Sequence, residues 1–217
     1  VDEIADLNAI SRRKTLEPGQ TYVFEGDRAR DFANVTSGVA KLLRGSEDGR
    51  AQIVGLLFAS DFICSSLGQT PLSDKGMTEP YSVEAVSQLE LCIFERNAFE
   101  KLLTRYPTLE RTLLDRTLNE LQLARDWMVL LGRKTARERV ATFLLHVADR
   151  MTKQGCNGTR SFELPLGRTD IADHIGLTVE TVSRQITELR KDGILEMEGR
   201  RLVLSYDFER LSERAGF

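Results

Sequence analysis

Two periodicities divide the chain. Before about residue 106, apolar residues come in short runs between glycines; after it they recur at helical spacing. Ile4, Leu7 and Ile10 repeat every three and predict a short helix over residues 1 to about 15, broken by Pro18-Gly19. Glycines at 19, 26, 38, 45, 49 and 55 then separate β-forming runs at residues 21–24, 39–43, 52–58, 81–86 and 89–94. Strands of that length and spacing predict a sandwich or a rolled barrel. Glu47-Asp48-Gly49-Arg50 reads as a hairpin turn.

From Pro107, which suits a helix N1 position, Leu114, Leu118, Leu121, Ala124, Met128 and Leu131 recur at spacings of three and four. No other glycine or proline interrupts them before Gly132, which predicts one helix of about 24 residues, long for a globular protein. So narrow a stripe suits a helix–helix seam; packing against the strands is the alternative. Residues 133–151 read as a further helix with Val140, Phe143, Leu144 and Val147 on one side, 153–161 as a loop, and 162–166 as a short strand.

The next stretch is the most informative. Ile171, Ala172 and Ile175 form a stripe with Thr169 as the expected N-cap, and Gly176 ends that helix where the chain needs φ > 0. Thr178 caps a second helix backed by Val182, Ile186 and Leu189. A short helix, a glycine turn and a second helix make a helix-turn-helix. Residues 194–197 and 202–204, about a turn at Glu198-Gly199-Arg200, add a wing with Arg200 and Arg201 at its tip, placed to meet phosphates. Glu180, Ser183 and Arg184 stand at i, i+3 and i+4, away from the apolar stripe. Arg can bond guanine O6 and N7, Glu can accept from cytosine N4, and Ser suits either edge. At the start of a recognition helix these side chains enter the major groove. On an arbitrary helix the same trio would be a solvated face with one Glu–Arg pair.

Gly176-Leu177-Thr178-Val179-Glu180-Thr181-Val182-Ser183-Arg184 resembles the recognition segment of the Crp/Fnr family of bacterial transcription regulators, and Glu-x-x-Ser-Arg resembles its Fnr and FixK branches. The order of turns from Pro18 to Phe62 is similar to that family's cyclic-nucleotide-binding β-roll. The resemblance implies an α+β chain: a β-roll sensor over 1–106, a dimerisation helix over 107–132, and a winged helix-turn-helix over 133–217. It implies that Glu180, Ser183 and Arg184 read a TTGAT-like half-site of double-stranded DNA, with Thr178, Thr181, Arg168 and Arg200 among the DNA contacts. It implies a homodimer through Leu114, Leu118, Leu121, Ala124 and Met128. It also implies an RNA polymerase contact through the turn at Ser46, Gly49 and Arg50, which by itself reads as an ordinary polar turn. Where oxygen-sensing Fnr proteins carry an acidic seam residue, this chain has Ala124, which implies a dimer-prone chain.

The family's nucleotide-binding members hold the phosphate with an Arg and the ribose with a Glu. Here that stretch runs through Ser65-Ser66-Leu67-Gly68 to Glu79-Pro80 without the Arg, so no cyclic nucleotide is expected. Cys92 lies where Fnr proteins carry the fourth ligand of a [4Fe–4S] cluster, whose other ligands would come from a cysteine-rich stretch before Val1; otherwise Cys92 is a small hydrophobe in a strand. Cys64 and Cys156 carry no assigned role, and three widely spaced cysteines do not form a disulfide framework.

Composition narrows the picture. The 217 residues are 41% hydrophobic with a formal net charge of −3, so a DNA footprint must be local, drawn from Arg168, Arg184, Arg190, Lys191, Arg200 and Arg201. No apolar run approaches a membrane span, and the expected compartment is the cytoplasm. A cupin-like metal enzyme would need clustered His and carboxylate ligands, and a haem sensor in the roll would favour an axial His. The two histidines, His146 and His174, both fall outside the roll.

Overall fold

The structure, a computed structural model, describes residues 2–45, 51–63, 78–152, 161–198, 202–206 and 208–216. Its residues form two compact units, divided between Gln122 and Leu123 within the longest helix.

The first unit opens with α1 (Asp2–Ile10), which runs directly into β1 (Ser11–Leu16). There follow β2 (Thr21–Val23), β3 (Asp31–Ser37), β4 (Ala40–Gly45), β5 (Ala51–Leu57), β6 (Phe62–Ile63), β7 (Ser82–Ala85) and β8 (Leu89–Glu95). They pair antiparallel in two four-stranded sheets, ordered β1-β8-β3-β6 and β2-β7-β4-β5. Leu16, Ala33, Val35, Leu89, Leu91 and Ile93 from the first sheet meet Ala40, Leu57, Val83 and Ala85 from the second in one buried core. The result is a β-roll. Gly38, at φ 90° between β3 and β4, has no room for a side chain: a Cβ there would lie 2.1 Å from the Gln88 carbonyl oxygen.

The single helix expected over residues 1 to about 15 is corrected: it stops at Ile10, and Ser11–Leu16 is a strand. β1 pairs with β8 from Ser11↔Phe94 to Leu16↔Leu89, so β8 is paired on both sides, by β1 and β3. β3 and β6 are also strands beyond those read from the sequence.

The outer face of the first sheet is covered by helices. α2 (Arg96–Arg105) begins at Glu95, whose carboxylate accepts from the backbone N–H groups of Asn97 and Ala98. Phe99 of α2 lies 5.2 Å, centroid to centroid, from both Phe32 and Phe94. Leu113 of α3 (Pro107–Arg133) completes this cluster, with Leu7, Ile10 and Leu109 packed on it. Helix α3 runs through Gly132 and reaches 27 residues, longer than the sequence suggested.

The second unit holds the last turns of α3, then α4 (Ala136–Thr152), β9 (Ser161–Leu164), α5 (Arg168–Ile175), α6 (Val179–Lys191), β10 (Leu195–Glu198), β11 (Leu202–Tyr206) and α7 (Phe208–Ala215). Helix α4 starts at Ala136 rather than Arg133 because Thr135 and Glu138 cap it reciprocally: Thr135 N–H donates to Glu138 Oε2 (2.7 Å) and Glu138 N–H to Thr135 Oγ1 (3.4 Å). Of the loop expected over 153–161, all but Ser161, which opens β9, lies outside the described residues. The strands form one antiparallel sheet, ordered β10-β11-β9. Val140, Phe143, Leu144 and Val147 of α4 are buried, as are Ile171, Ala172 and Ile175 of α5 and Val182, Ile186 and Leu189 of α6.

Candidate nucleic-acid interface

Helices α5 and α6 form the motif. The N-cap of α5 is Gly167, not the expected Thr169, which sits exposed in the first turn. Gly167 has no side chain to offer; the capping bond runs the other way, from Gly167 N–H to Asp170 Oδ2 at 3.2 Å. Gly176 is left-handed (φ 64°, ψ 45°), and the N–H groups of Gly176 and Leu177 both return to the Ala172 carbonyl. Thr178 caps α6: its Oγ1 accepts from Thr181 N–H at 3.2 Å and lies 3.1 Å from Thr181 Oγ1. These bonds set the turn so that Val182 and Ile186 are buried and the opposite side of α6 is bare.

That bare side carries Glu180 and Arg184, both exposed, with Ser183 half-buried between them. The Glu180 carboxyl is held below the ordinary 4.5 by its own backbone N–H and by the Thr178 hydroxyl, so it is an ionised acceptor at neutral pH. Arg184 is exposed, and among the described residues it has no ion-pair partner, which leaves its five donors uncommitted. Thr187 and Lys191 continue the exposed side toward the C-terminus, with Thr187 Oγ1 bonded to the Ser183 carbonyl at 2.8 Å. Arg168 is exposed at the start of α5. Arg200 and Arg201, which fall between β10 and β11 in the sequence, lie outside the described residues, as do Ser46, Gly49 and Arg50.

The back of the motif is braced by residues that no local sequence signal marked. Arg210 of α7 donates from Nη2 to the Asp192 carbonyl (2.7 Å), and Arg214 Nη2 reaches Asp192 Oδ2 (2.5 Å), tying α7 to the C-cap of α6. The alternation of Leu211 and Ala215 with charged residues was the available clue to α7. His174 of α5 is buried in a ring cluster, 4.5 Å from Trp127 of α3 and 5.9 Å from Phe143 of α4.

The seam residues lie on α3. In the first unit Leu113 is buried while Leu114, Leu118 and Leu121 are about half exposed, at 56%, 53% and 46%. In the second unit Leu130 is buried while Met128, Val129 and Leu131 are exposed, and Ala124 is exposed as well.

In the roll, Arg44 is engaged by Glu25 (Nε to Oε1, 3.5 Å) and lies over the Tyr81 ring, and Lys41 pairs with Glu84 at 3.0 Å. Cys92, on β8, is half-buried against the Phe32–Phe94–Phe99–Leu113 cluster. Among the described residues no group of three or more His, Cys, Asp or Glu is placed to hold a metal ion. A cubane cluster needs four ligands, usually thiolates; this chain's three cysteines do not complete that set, and Cys64 and Cys156 lie outside the described residues.

A β-roll and a winged helix-turn-helix carried by one chain with a long helix define the architecture of a DNA-binding regulator. Comparison with known proteins agrees. Residues 13–106 match the model of the cyclic nucleotide-binding domain and residues 138–214 that of the Crp-like helix-turn-helix domain. The chain is 43% identical over 218 residues to the transcriptional activator protein FnrL of Cereibacter sphaeroides, covering 99% of this chain and 85% of that one. It is 36% identical over 194 residues to the nitrogen fixation regulation protein FixK of Bradyrhizobium diazoefficiens, covering 89% and 78%. The solved structure of FixK2 from Bradyrhizobium japonicum matches with a TM-score of 0.79 at 31% identity, covering 94% of this chain and 96% of that one. The chain belongs to the Crp/Fnr family of transcription regulators, in its Fnr/FixK branch.

Proposed function

We propose that this chain is a sequence-specific transcription activator that binds a TTGAT-like palindrome as a homodimer. Residues 1–106 serve as the sensor roll, 107–132 as the dimer helix and 133–217 as the reader. The observation that carries the reading is the face of α6, where an ionised carboxylate, a hydroxyl and an uncommitted guanidinium stand together on a buried-backed helix. Arg184 reads guanine through two donors, Glu180 accepts from cytosine N4, and Ser183 contacts the edge between them. Thr178, Thr181, Arg168 and Arg200 hold the duplex by its phosphates and set the register. With a net charge of −3, attraction to DNA comes from this face and not from the chain as a whole.

The exposed apolar row of α3, Leu114, Leu118, Leu121, Ala124 and Met128, supports pairing of two copies. A two-fold dimer then delivers two α6 helices to major grooves about 34 Å apart. Ser46, Gly49 and Arg50 are the proposed polymerase contact. No described helix is long and apolar enough to cross a membrane, and the proposed site of action is the cytoplasm.

The input proposed is oxygen or redox state, on the strength of the Fnr/FixK relatives, with Cys92 as a candidate ligand. The stretch from Ser65 to Pro80 lacks the phosphate-holding Arg, which disfavours a cyclic nucleotide as the signal.

Quantitative binding to palindromes varied one base pair at a time tests the reader. Arg184→Ala should cost about 1–3 kcal/mol on the best site and flatten selection at a single guanine. Equal loss on every sequence would overturn the assigned role. An absorbance spectrum of the anaerobically purified full-length protein tests the input: an iron–sulfur charge-transfer band supports it, a Soret band moves it to haem, and a featureless spectrum removes it.

A further inference from the structure

Arg139, in the first turn of α4, makes bonds that reading DNA does not call for. It is half-buried, and its guanidinium donates to the carbonyls of two other elements. Nη2 reaches the Leu131 oxygen at 2.7 Å, Nε the Lys134 oxygen at 3.0 Å, and Nη1 the Ile175 oxygen at 3.2 Å, with the Gly176 oxygen at 3.5 Å. Leu131 lies in the last turn of α3 and Lys134 just past its end; Ile175 is the last residue of α5 and Gly176 its C-cap. The final carbonyls of a helix have no partner within it and form the negative end of its dipole. One cation therefore serves two helix ends at once.

The contact is close as well as polar. A Cβ built on Gly176 would lie 3.6 Å from Leu131 Cδ2 and 3.7 Å from Arg139 Nη1, so the turn of the motif rests on the last turn of α3. Between α3 and α4 the chain has little slack, because Thr135 and Glu138 fix the start of α4 immediately after Lys134. Helix α6 shares a buried core with α5 through Val182 and Ile186. The end of the seam helix and the reading motif are thus joined by this guanidinium and the glycine turn, beside the Trp127–His174 ring contact.

We propose that Arg139 is the positioning residue that fixes the angle of the reading helix against the end of α3, and so sets which half-site spacing the dimer accepts. The inference rests on the dimeric reading above. A shift at the end of α3 is handed to α5 through the Arg139 fork, and two-fold symmetry applies it to both readers. A planar fork with five donors suits four carbonyls arrayed around it; a lysine ammonium on a flexible stem does not hold them in that geometry.

The test uses the full chain and three kinds of duplex: a TTGAT-like palindrome, the same palindrome with its centre changed by one base pair, and a single half-site. Arg139→Met should keep the dimeric mass and the half-site affinity of the parent. Its preference for the palindrome over the half-site should fall about tenfold, the scale of one lost charge-assisted hydrogen bond, and its discrimination of spacing should fade. Arg139→Lys keeps the charge and should still lose most of that preference, so the test stands if the methionine variant folds poorly. Lys134→Met is the comparator: Lys134 Nζ bonds Thr142 Oγ1 (2.9 Å) and the Ala215 carbonyl (2.8 Å), and its loss should lower stability without moving the preference. An Arg139 variant that keeps the parent's preference, or that loses half-site and palindrome binding in equal proportion, overturns the proposal. A parent protein with no preference for the palindrome overturns the dimeric reading itself, a result the Arg139 variants alone do not produce.

Discussion

Truncating Leu118 on α3 gives the sharpest test of the seam. Leu118 is 53% exposed, between Leu114 at 56% and Leu121 at 46%. Covering a leucine side chain completely is worth about 1.5–3 kcal/mol, and roughly half of that area is already covered within the chain, leaving about 1 kcal/mol for a partner to supply. In a two-fold interface each residue occurs twice, so Leu118→Ala should weaken dimerisation by about 2 kcal/mol, or ~30-fold in Kd. The half already covered within the single chain is worth a similar amount, so unfolding of the isolated protomer should change by about 1 kcal/mol, half the effect on the dimer. Sedimentation equilibrium over a range of concentrations measures the first quantity, and a denaturant melt at low concentration the second. Arg116→Ala, exposed on another side of the same helix, is the control and should leave dimerisation unchanged. A Leu118→Ala protein that dimerises as tightly as its parent, or no worse than Arg116→Ala, would refute the placement of the seam.

Three further outcomes follow from the packing. Gly38→Ala forces a Cβ to within 2.1 Å of the Gln88 carbonyl oxygen at a positive φ, and should cost about 3 kcal/mol or more in a urea melt; a loss under about 1 kcal/mol would contradict that geometry. Glu138 is held below the ordinary 4.5 by the backbone N–H and then the hydroxyl of Thr135. Its cap therefore contributes above that pH and is lost as pH falls through the lowered value, so the Tm gap to Glu138→Gln should be flat near neutrality and close in acid; a gap that persists there would count against the cap. Gln185 is buried with no partner for Oε1 among the described residues, and Gln185→Met should raise stability by about 1 kcal/mol; a loss of that size would mean that the oxygen is served by a bound water.

What could be read from the sequence was what is decided locally. Gly176 at φ 64° and Thr178 at the cap of α6 are set by their own backbone needs, and the stripe of Val182, Ile186 and Leu189 repeats at helical spacing, so the frame of the motif was legible before any contact was known. β1 was not, because Ser-Arg-Arg-Lys-Thr-Leu is mostly exposed and follows a helical repeat; only pairing with β8 makes it a strand. β3 carries neighbouring buried residues, Phe32 and Ala33, because its two sides meet different clusters, which erases the alternation. α2 hid behind a glutamate N-cap, an uncommon choice. Around the candidate interface, Arg210, Arg214 and Arg139 read as ordinary surface charge; their roles come from carbonyls or carboxylates brought near by folding.

The chain has one tryptophan, and it stands at the junction of α3, α4 and α5: Trp127 lies 4.5 Å from the ring of His174 and 5.6 Å from that of His146. Its fluorescence is therefore a native, label-free reporter of that junction, quenched or released as those rings shift. Movement there can be followed in the unmodified protein during a titration with duplex or oxidant.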